Sequence, residues 1–247
     1  MIKLLYLLRR RPGLTLREFQ EHWGEHHRQF GIMDKNIRRY VQYHTLLEDP
    51  IKEALAQAAD SKVTVEPYDG MAVAWWDSPE QLLQSMESDN VAAALEDEKH
   101  FIDHERSTAL LADEHVIVEP EGKGPIVLIE CLSRRSDIDR RTFSEKWLHH
   151  AHIGRKANSL GLLQGYIQNH ALPEGDDRVA QLEALGAGAE MWDGVVTAYF
   201  HSIAIAKELF TSPLASEESY EDEKQFIDHD KGVYMLTRRH LIKDYVR

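Results

Sequence analysis

The chain has 247 residues, 43% of them hydrophobic and 29% charged, which is an ordinary globular composition with length for one large domain or two of about 120 residues. Its net charge of −13 argues against nucleic acid, a polyanionic substrate or an anionic membrane surface as a partner. No run approaches the roughly 18 apolar residues of a membrane span, the N-terminus is apolar first and basic second, the reverse of a secretory signal, and the single cysteine, Cys131, excludes an intramolecular disulfide and cysteine-rich metal sites; the expected location is cytoplasmic.

In chain order, residues 2–8 read as a strand and Pro12-Gly13 as a turn. Thr15 with Glu18 three residues on forms a capping box, and Leu16, Phe19, Trp23, His27 and Phe30 follow helical spacing. A second strand is predicted over 40–47, then a polar, irregular stretch over 51–66, then a third strand over 70–76. Ser78-Pro79-Glu80 opens a helical region by N-cap and proline, which runs to about 104 with a break near Asp89, and a fourth strand closes over 108–118. The same order follows again: strand 126–132, helix from Asp139, strands 165–171 and 194–200, helices from 202, strand 232–242.

The second half repeats the first. Asp97-Glu-Lys-His-Phe-Ile-Asp-His104 recurs as Asp222-Glu-Lys-Gln-Phe-Ile-Asp-His229, Tyr40-x-Gln42-x-His44 as Tyr166-x-Gln168-x-His170, Phe19-x₃-Trp23 as Phe143-x₃-Trp147, and Tyr68-Asp69-Gly70 as Trp192-Asp193-Gly194, at offsets of 124 to 126. The chain is therefore expected to be two copies of one unit, 1–120 and 121–247, joined by the Pro/Gly-rich 119–125. The element order β-α-β-β-α-β predicts an α+β fold of two ferredoxin-like units. Each unit leaves one sheet face uncovered, and the other copy is its natural cover. The expectation is an intramolecular pseudo-dimer, with sheets face to face or closed into a barrel and helices outside.

Alternate strand residues share a face, so Tyr40, Gln42 and His44 line up, as do Tyr166, Gln168 and His170. Such a row is expensive to bury unless satisfied by a ligand cavity or by its own hydrogen bonds. Tyrosine and histidine also move protons near neutral pH. On the first helix, His27 stacks four residues after Trp23; counting from Trp147, His150 aligns with His26 and Ala151 with His27, so the two copies differ chemically. His22 and His26 at i, i+4 raise the question of a metal, but Lys146 replaces His22 in the second copy and no metal site is assigned. Trp75-Trp76 matches Tyr199-Phe200, and one of each pair is expected to face the sheet interior. Nucleotide-binding and hydrolase signatures are absent from the sequence.

Arg11-Pro12-Gly13-Leu-Thr15-x₃-Phe19-x₃-Trp23-x₃-His27, the Tyr-x-Gln-x-His strand, Tyr68-Asp69-Gly70 and Asp97-Glu98-x₂-Phe101-x-Asp103 together resemble the EthD-domain family. The second copy departs from that pattern at Arg135-Ser136-Asp137 and at Ala151. The resemblance implies the dimeric α+β-barrel superfamily, which holds cyclases, dehydratases, cofactor-free monooxygenases, isomerases and haem proteins.

The expected activity is cofactor-independent proton transfer (dehydration, cyclisation or isomerisation) on a small hydrophobic, cyclic or aromatic compound. His44 or His27 would act as acid or base with Tyr40 beside them, and His170, Tyr166 and His150 in the second copy. Gln42, Gln168, Trp23, Trp75 and Trp147 would hold the substrate. No cofactor is expected. The alternatives are a cofactorless or haem-assisted monooxygenase in the same cavity, and a non-catalytic carrier of hydrophobic ligands. The sequence leaves open whether the pseudo-dimer pairs again as a homodimer.

Overall fold

A computed structural model describes residues 1–48, 50–51, 66–120, 125–173, 175–178 and 192–245. The irregular stretch expected over 51–66, and 121–124 of the linker, lie mostly outside the described residues. The first half runs β1 (Ile2–Leu8), α1 (Leu16–Glu21), a π-helical segment (His22–His27), α2 (Arg28–Met33), β2 (Arg39–Thr45), β3 (Gly70–Trp76), α3 (Pro79–Met86), α4 (Asp89–Glu98), a short 3₁₀ turn (His104–Arg106) and β4 (Thr108–Val118). The second runs β5 (Ile126–Leu132), α5 (Arg140–Ser159), β6 (Gly165–Ala171), β7 (Gly194–Phe200), α6 (Ile203–Phe210), a π-helical segment (Leu214–Ser219), α7 (Tyr220–Glu223) and β8 (Val233–Asp244). Among the described residues no helix is long and apolar enough to cross a membrane.

The helix starts follow from side chains that accept orphan backbone N–H groups. The Thr15 hydroxyl accepts from Glu18 N at 3.2 Å while the Glu18 carboxylate accepts from Thr15 N at 2.8 Å. Ser78, Ser88, Asp139 and Ser202 cap α3, α4, α5 and α6 in the same way.

All eight strands pair antiparallel into one closed barrel in the order β1-β3-β2-β8-β5-β7-β6-β4, with β4 returning to β1. The halves meet at two seams, β2 with β8 and β4 with β6, so both contribute to a single α+β barrel carrying helices outside. Closure leaves the sheet without a free edge. The barrel interior is packed, not hollow: Leu5, Leu7, Val41, Val73, Ile129 and Met235 fill it, and the Tyr43 and Tyr199 hydroxyls meet across it at 2.9 Å. The Tyr-x-Gln-x-His rows therefore do not border a space between the halves. Val41 and Tyr43 take the inward positions, so Tyr40, Gln42 and His44 face the helices.

The repeated Tyr/Trp-Asp-Gly step is structural. Asp69 accepts from Arg10 N at 2.7 Å and pairs with the Arg10 guanidinium; Asp193 does the same for Arg134, at 2.8 Å. The glycine that follows is required because a Cβ on Gly70 would collide with the Trp23 indole, and one on Gly194 with Trp147.

One difference between the halves is a single residue. Tyr40 packs on Gly31 and Tyr166 on Gly154, although Gly31 lies eight residues after Trp23 and Gly154 seven after Trp147. The additional residue is absorbed by the π-helical turn His22–His27, a device that recurs at functional sites. Helix α5 carries no such turn.

Candidate active site

In the first half a cavity of about 360 Å³ opens between the outer sheet face and the helices. Its walls are mostly apolar, among them Leu4, Phe30, Ile37, Trp76, Met86 and Ile102. Its floor is a row across three paired strands, Ala109 on β4, Tyr6 on β1 and Ala72 on β3. The two alanines leave space where larger side chains would fill it. The surrounding core is accordingly split, with Phe19, Trp23 and Phe101 in one cluster and Tyr40, Trp76 and Leu82 in another.

Into this apolar space projects a chain of titratable groups. His27 is buried and its Nδ1 lies 2.8 Å from Asp97 Oδ2, so Nδ1–H donates to the carboxylate and Nε2 is the ring nitrogen left for other partners. Nε2 is 3.7 Å from Glu98 Oε1, and Glu98 Oε2 lies 2.8 Å from His104 Nε2, whose ring is partly exposed. Partial burial raises the Asp97 carboxyl, but hydrogen bonds from His27 and His22 outweigh this and hold it below the ordinary range. The Glu98 hydrogen bond holds His104 above its ordinary value. Burial first, and the Glu98 charge second, push the Tyr6 phenol far up, and burial takes Tyr40 to about 12, so both keep their protons.

A model of the EthD domain matches residues 11–105 and again residues 135–230. The chain belongs to the EthD family. No curated protein matches its sequence. Solved structures share its fold at low identity. A Lactobacillus acidophilus protein described provisionally as a monooxygenase is 8% identical with a TM-score of 0.54, covering 99% of this chain and 95% of its own. A Fusobacterium nucleatum protein with the same provisional description is 4% identical at 0.58, covering 98% and 92%. An anthrone oxidase-like protein is 8% identical at 0.59, covering 99% and 94%. These descriptions name oxygen chemistry and none names a dehydratase, cyclase or isomerase; the proton-transfer expectation for this EthD chain is corrected on that account.

The EthD site gathers His27, Tyr40 and Trp23 as lining groups. Gln42 lies behind them, fully buried: its Nε2 donates to Trp23 O at 3.2 Å and to the Tyr40 hydroxyl at 3.0 Å, and its Oε1 faces His44 Nε2 at 3.0 Å. The row thus satisfies its own hydrogen bonds. His44 does not line the cavity. It stacks on Trp23 at 4.4 Å, and burial, then the nearby His240, take it down to about 3. Trp75, expected to hold substrate, faces the barrel interior and donates to Glu114 at 3.0 Å; its neighbour Trp76 lines the cavity instead.

In the second half, His150 Nδ1 lies 2.7 Å from Asp222 Oδ2, so His150 is the counterpart of His27 and not of His26. Trp147, Tyr166, Val196, Phe200 and Phe226 there form one continuous apolar cluster, with Tyr234 packed against it. Gln168 donates to Trp147 O at 2.8 Å, and His170 stacks on Trp147 at 4.2 Å. His22 turns to Asp97 at 3.0 Å, and its ring lies 5.5 Å from that of His26. Sequence reading missed Tyr6, Glu98 and the joining of Asp97 to His27. The Asp-Glu pair was visible as a repeat, but its distance from His27 in sequence hid the contact.

Proposed function

We propose that the chain is a cofactor-independent monooxygenase acting on a small, flat, weakly acidic aromatic compound held in the first-half cavity. The observation that carries this reading is that buried His27 lines a mostly apolar cavity while Asp97 holds its Nδ1. The fold shared with proteins described as monooxygenases and as anthrone oxidase-like supports it. The halves 1–120 and 121–247 are read as two ferredoxin-like copies sharing one barrel.

His27 removes a proton from an activated CH₂ group flanked by aromatic rings, and Asp97 stabilises the imidazolium. The carbanion gives one electron to dioxygen, and the radical pair joins as a C–O bond. The peroxide takes the proton back from His27 and loses water, leaving a ketone. In sum, CH₂ and O₂ become C=O and H₂O. The phenols of Tyr6 and Tyr40 keep their protons and are placed as donors to developing oxyanions. Glu98 and the partly exposed His104 form a route by which His27 exchanges protons with solvent. Gln42, Trp23 and His44 act as supports that fix Tyr40.

The test is oxygen uptake with anthrone as the probe. The wild-type chain should consume one O₂ per anthrone, and His27→Ala should lose a factor of about 10² to 10⁴. Undiminished uptake by His27→Ala would overturn the assignment. A Soret band in the purified protein would move the oxygen chemistry to a haem, and tight anthrone binding without uptake would leave a carrier.

A further inference from the structure

The second half has a pocket of its own in a different place. About 300 Å³ opens where β4 meets β6, beneath the first turns of α5, lined by Ser144, His170, His115, Arg140 and Arg141 among others. Ser144 Oγ lies 2.6 Å from His170 Nδ1, and His170 Nε2 lies 3.2 Å from Gln168 Oε1.

The proton positions in this chain follow from the donor count. Gln168 Nε2 donates to the Trp147 carbonyl at 2.8 Å, which fixes the amide so that Oε1 is an acceptor. His170 Nε2 must therefore carry a hydrogen and donate it to Oε1. Burial, then the neighbouring His115, take His170 down to about 3, so the ring is neutral and Nδ1 is a bare lone pair. The short contact at Nδ1 can then only be Ser144 donating its hydroxyl proton. The ring is further held by Trp147 on one face and by the His115 ring, 4.5 Å away.

The first half keeps the Gln–His pair but not the serine. Gln20 stands at that position, and its side chain donates to the Thr45 carbonyl at 2.6 Å. Among the described residues, a nucleophile, a base and a group that orients the base meet at this pocket in the second half, and the first half has no counterpart of Ser144.

From this geometry we infer that Ser144 is an activated nucleophile that takes the acyl group of a small activated ester. Ser144 Oγ attacks the carbonyl carbon while its proton passes to His170 Nδ1. The C–O bond to the leaving group breaks, and the alcohol departs with that proton. Water then attacks the acyl–Ser144 ester and gives one proton to Nδ1; the C–Oγ bond breaks, Nδ1 returns that proton to Oγ, and the acid and free Ser144 are released. Arg140 and Arg141 border the pocket but are paired with Asp193 at 3.2 Å and Glu145 at 2.9 Å, so the proposal rests on the Ser144–His170–Gln168 chain and not on their charge. Both steps use the same weak base, His170, which predicts slow turnover.

The test is labelling of the full chain with an alkyl fluorophosphonate, read by intact mass and peptide mapping. One adduct is expected, on Ser144, absent in Ser144→Ala and formed about a hundredfold more slowly in His170→Asn. Should His170→Asn fail to fold, the wild-type chain decides alone: labelling at Ser144 must exceed that at the exposed Ser159 and Ser216 by a similar factor. No adduct at Ser144, or equal labelling of the three serines, overturns the inference.

Discussion

The two halves of the barrel share strands, caps and a histidine–carboxylate pair, yet among the described residues only the first half opens a cavity beside that pair. His27 and His150 meet Asp97 and Asp222 at 2.8 and 2.7 Å, so the acid–base pair is present twice. What differs is the floor and the roof. Ala109, Tyr6 and Ala72 lie across the first sheet, whereas Tyr234, Glu130 and Val196 lie across the second. Counting back from the aspartates, Ala94 leaves His27 open to the cavity, while Ser219 approaches His150 Nε2 at 3.4 Å. A histidine–carboxylate pair without room beside it has nothing to act on. The comparison teaches that in this fold the site is made by small residues as much as by reactive ones.

The largest effect that sharpens this contrast is kinetic. His27→Ala should lower the rate of oxygen uptake by about 10² to 10⁴, and His150→Ala should leave it unchanged, as followed with an oxygen electrode. Next comes packing. Tyr234→Ala opens the second floor at a cost of about 3 kcal/mol, measured by urea unfolding, whereas wild-type Ala109 already leaves that space in the first half. The paired glycines give a smaller effect. Gly154→Ala pushes a methyl group onto Tyr166 inside a filled core and should cost about 1 to 3 kcal/mol. Gly31→Ala meets Tyr40, which can tilt into the cavity; it should cost less stability but weaken ligand binding.

The smallest effect is a pH slope. Glu130, half-buried, is raised to about 8 by burial and then by the charge of Glu223. The folded chain holds this proton more tightly than the unfolded one, whose carboxyl titrates near 4.5. Its contribution is therefore present below that value and lost as pH rises from about 4.5 to 8. Glu130→Gln should flatten the fall in Tm across that window, as read by thermal unfolding at pH 5 and pH 8, while Tyr6→Phe at the matching position leaves the slope unchanged.

Much of this was legible in the chain. The duplication, the element order, the caps at Thr15 and Ser78 and the helix starts near 139 and 202 are local signals, and the structure keeps them. Three matters were not local. Strand periodicity shows that Tyr40, Gln42 and His44 share a face, but not which face, because both faces of a closed, helix-covered sheet are buried. A single inserted residue absorbed as a π turn does not alter composition or hydrophobic spacing, so counting from the tryptophans paired His150 with the wrong histidine. The cavity itself depends on Ala72 and Ala109, and an alanine in a strand carries no signature of the space it leaves.

The most direct test is the stoichiometry of an apolar tricyclic ligand, read by titrating 1,8-dihydroxyanthraquinone against the fluorescence of Trp23 and Trp76, both of which line the cavity. One molecule should bind per chain, and Ala109→Tyr, which copies the second half into the first, should abolish binding. Two molecules per chain, or binding untouched by Ala109→Tyr, would contradict the assignment of the site to the first half.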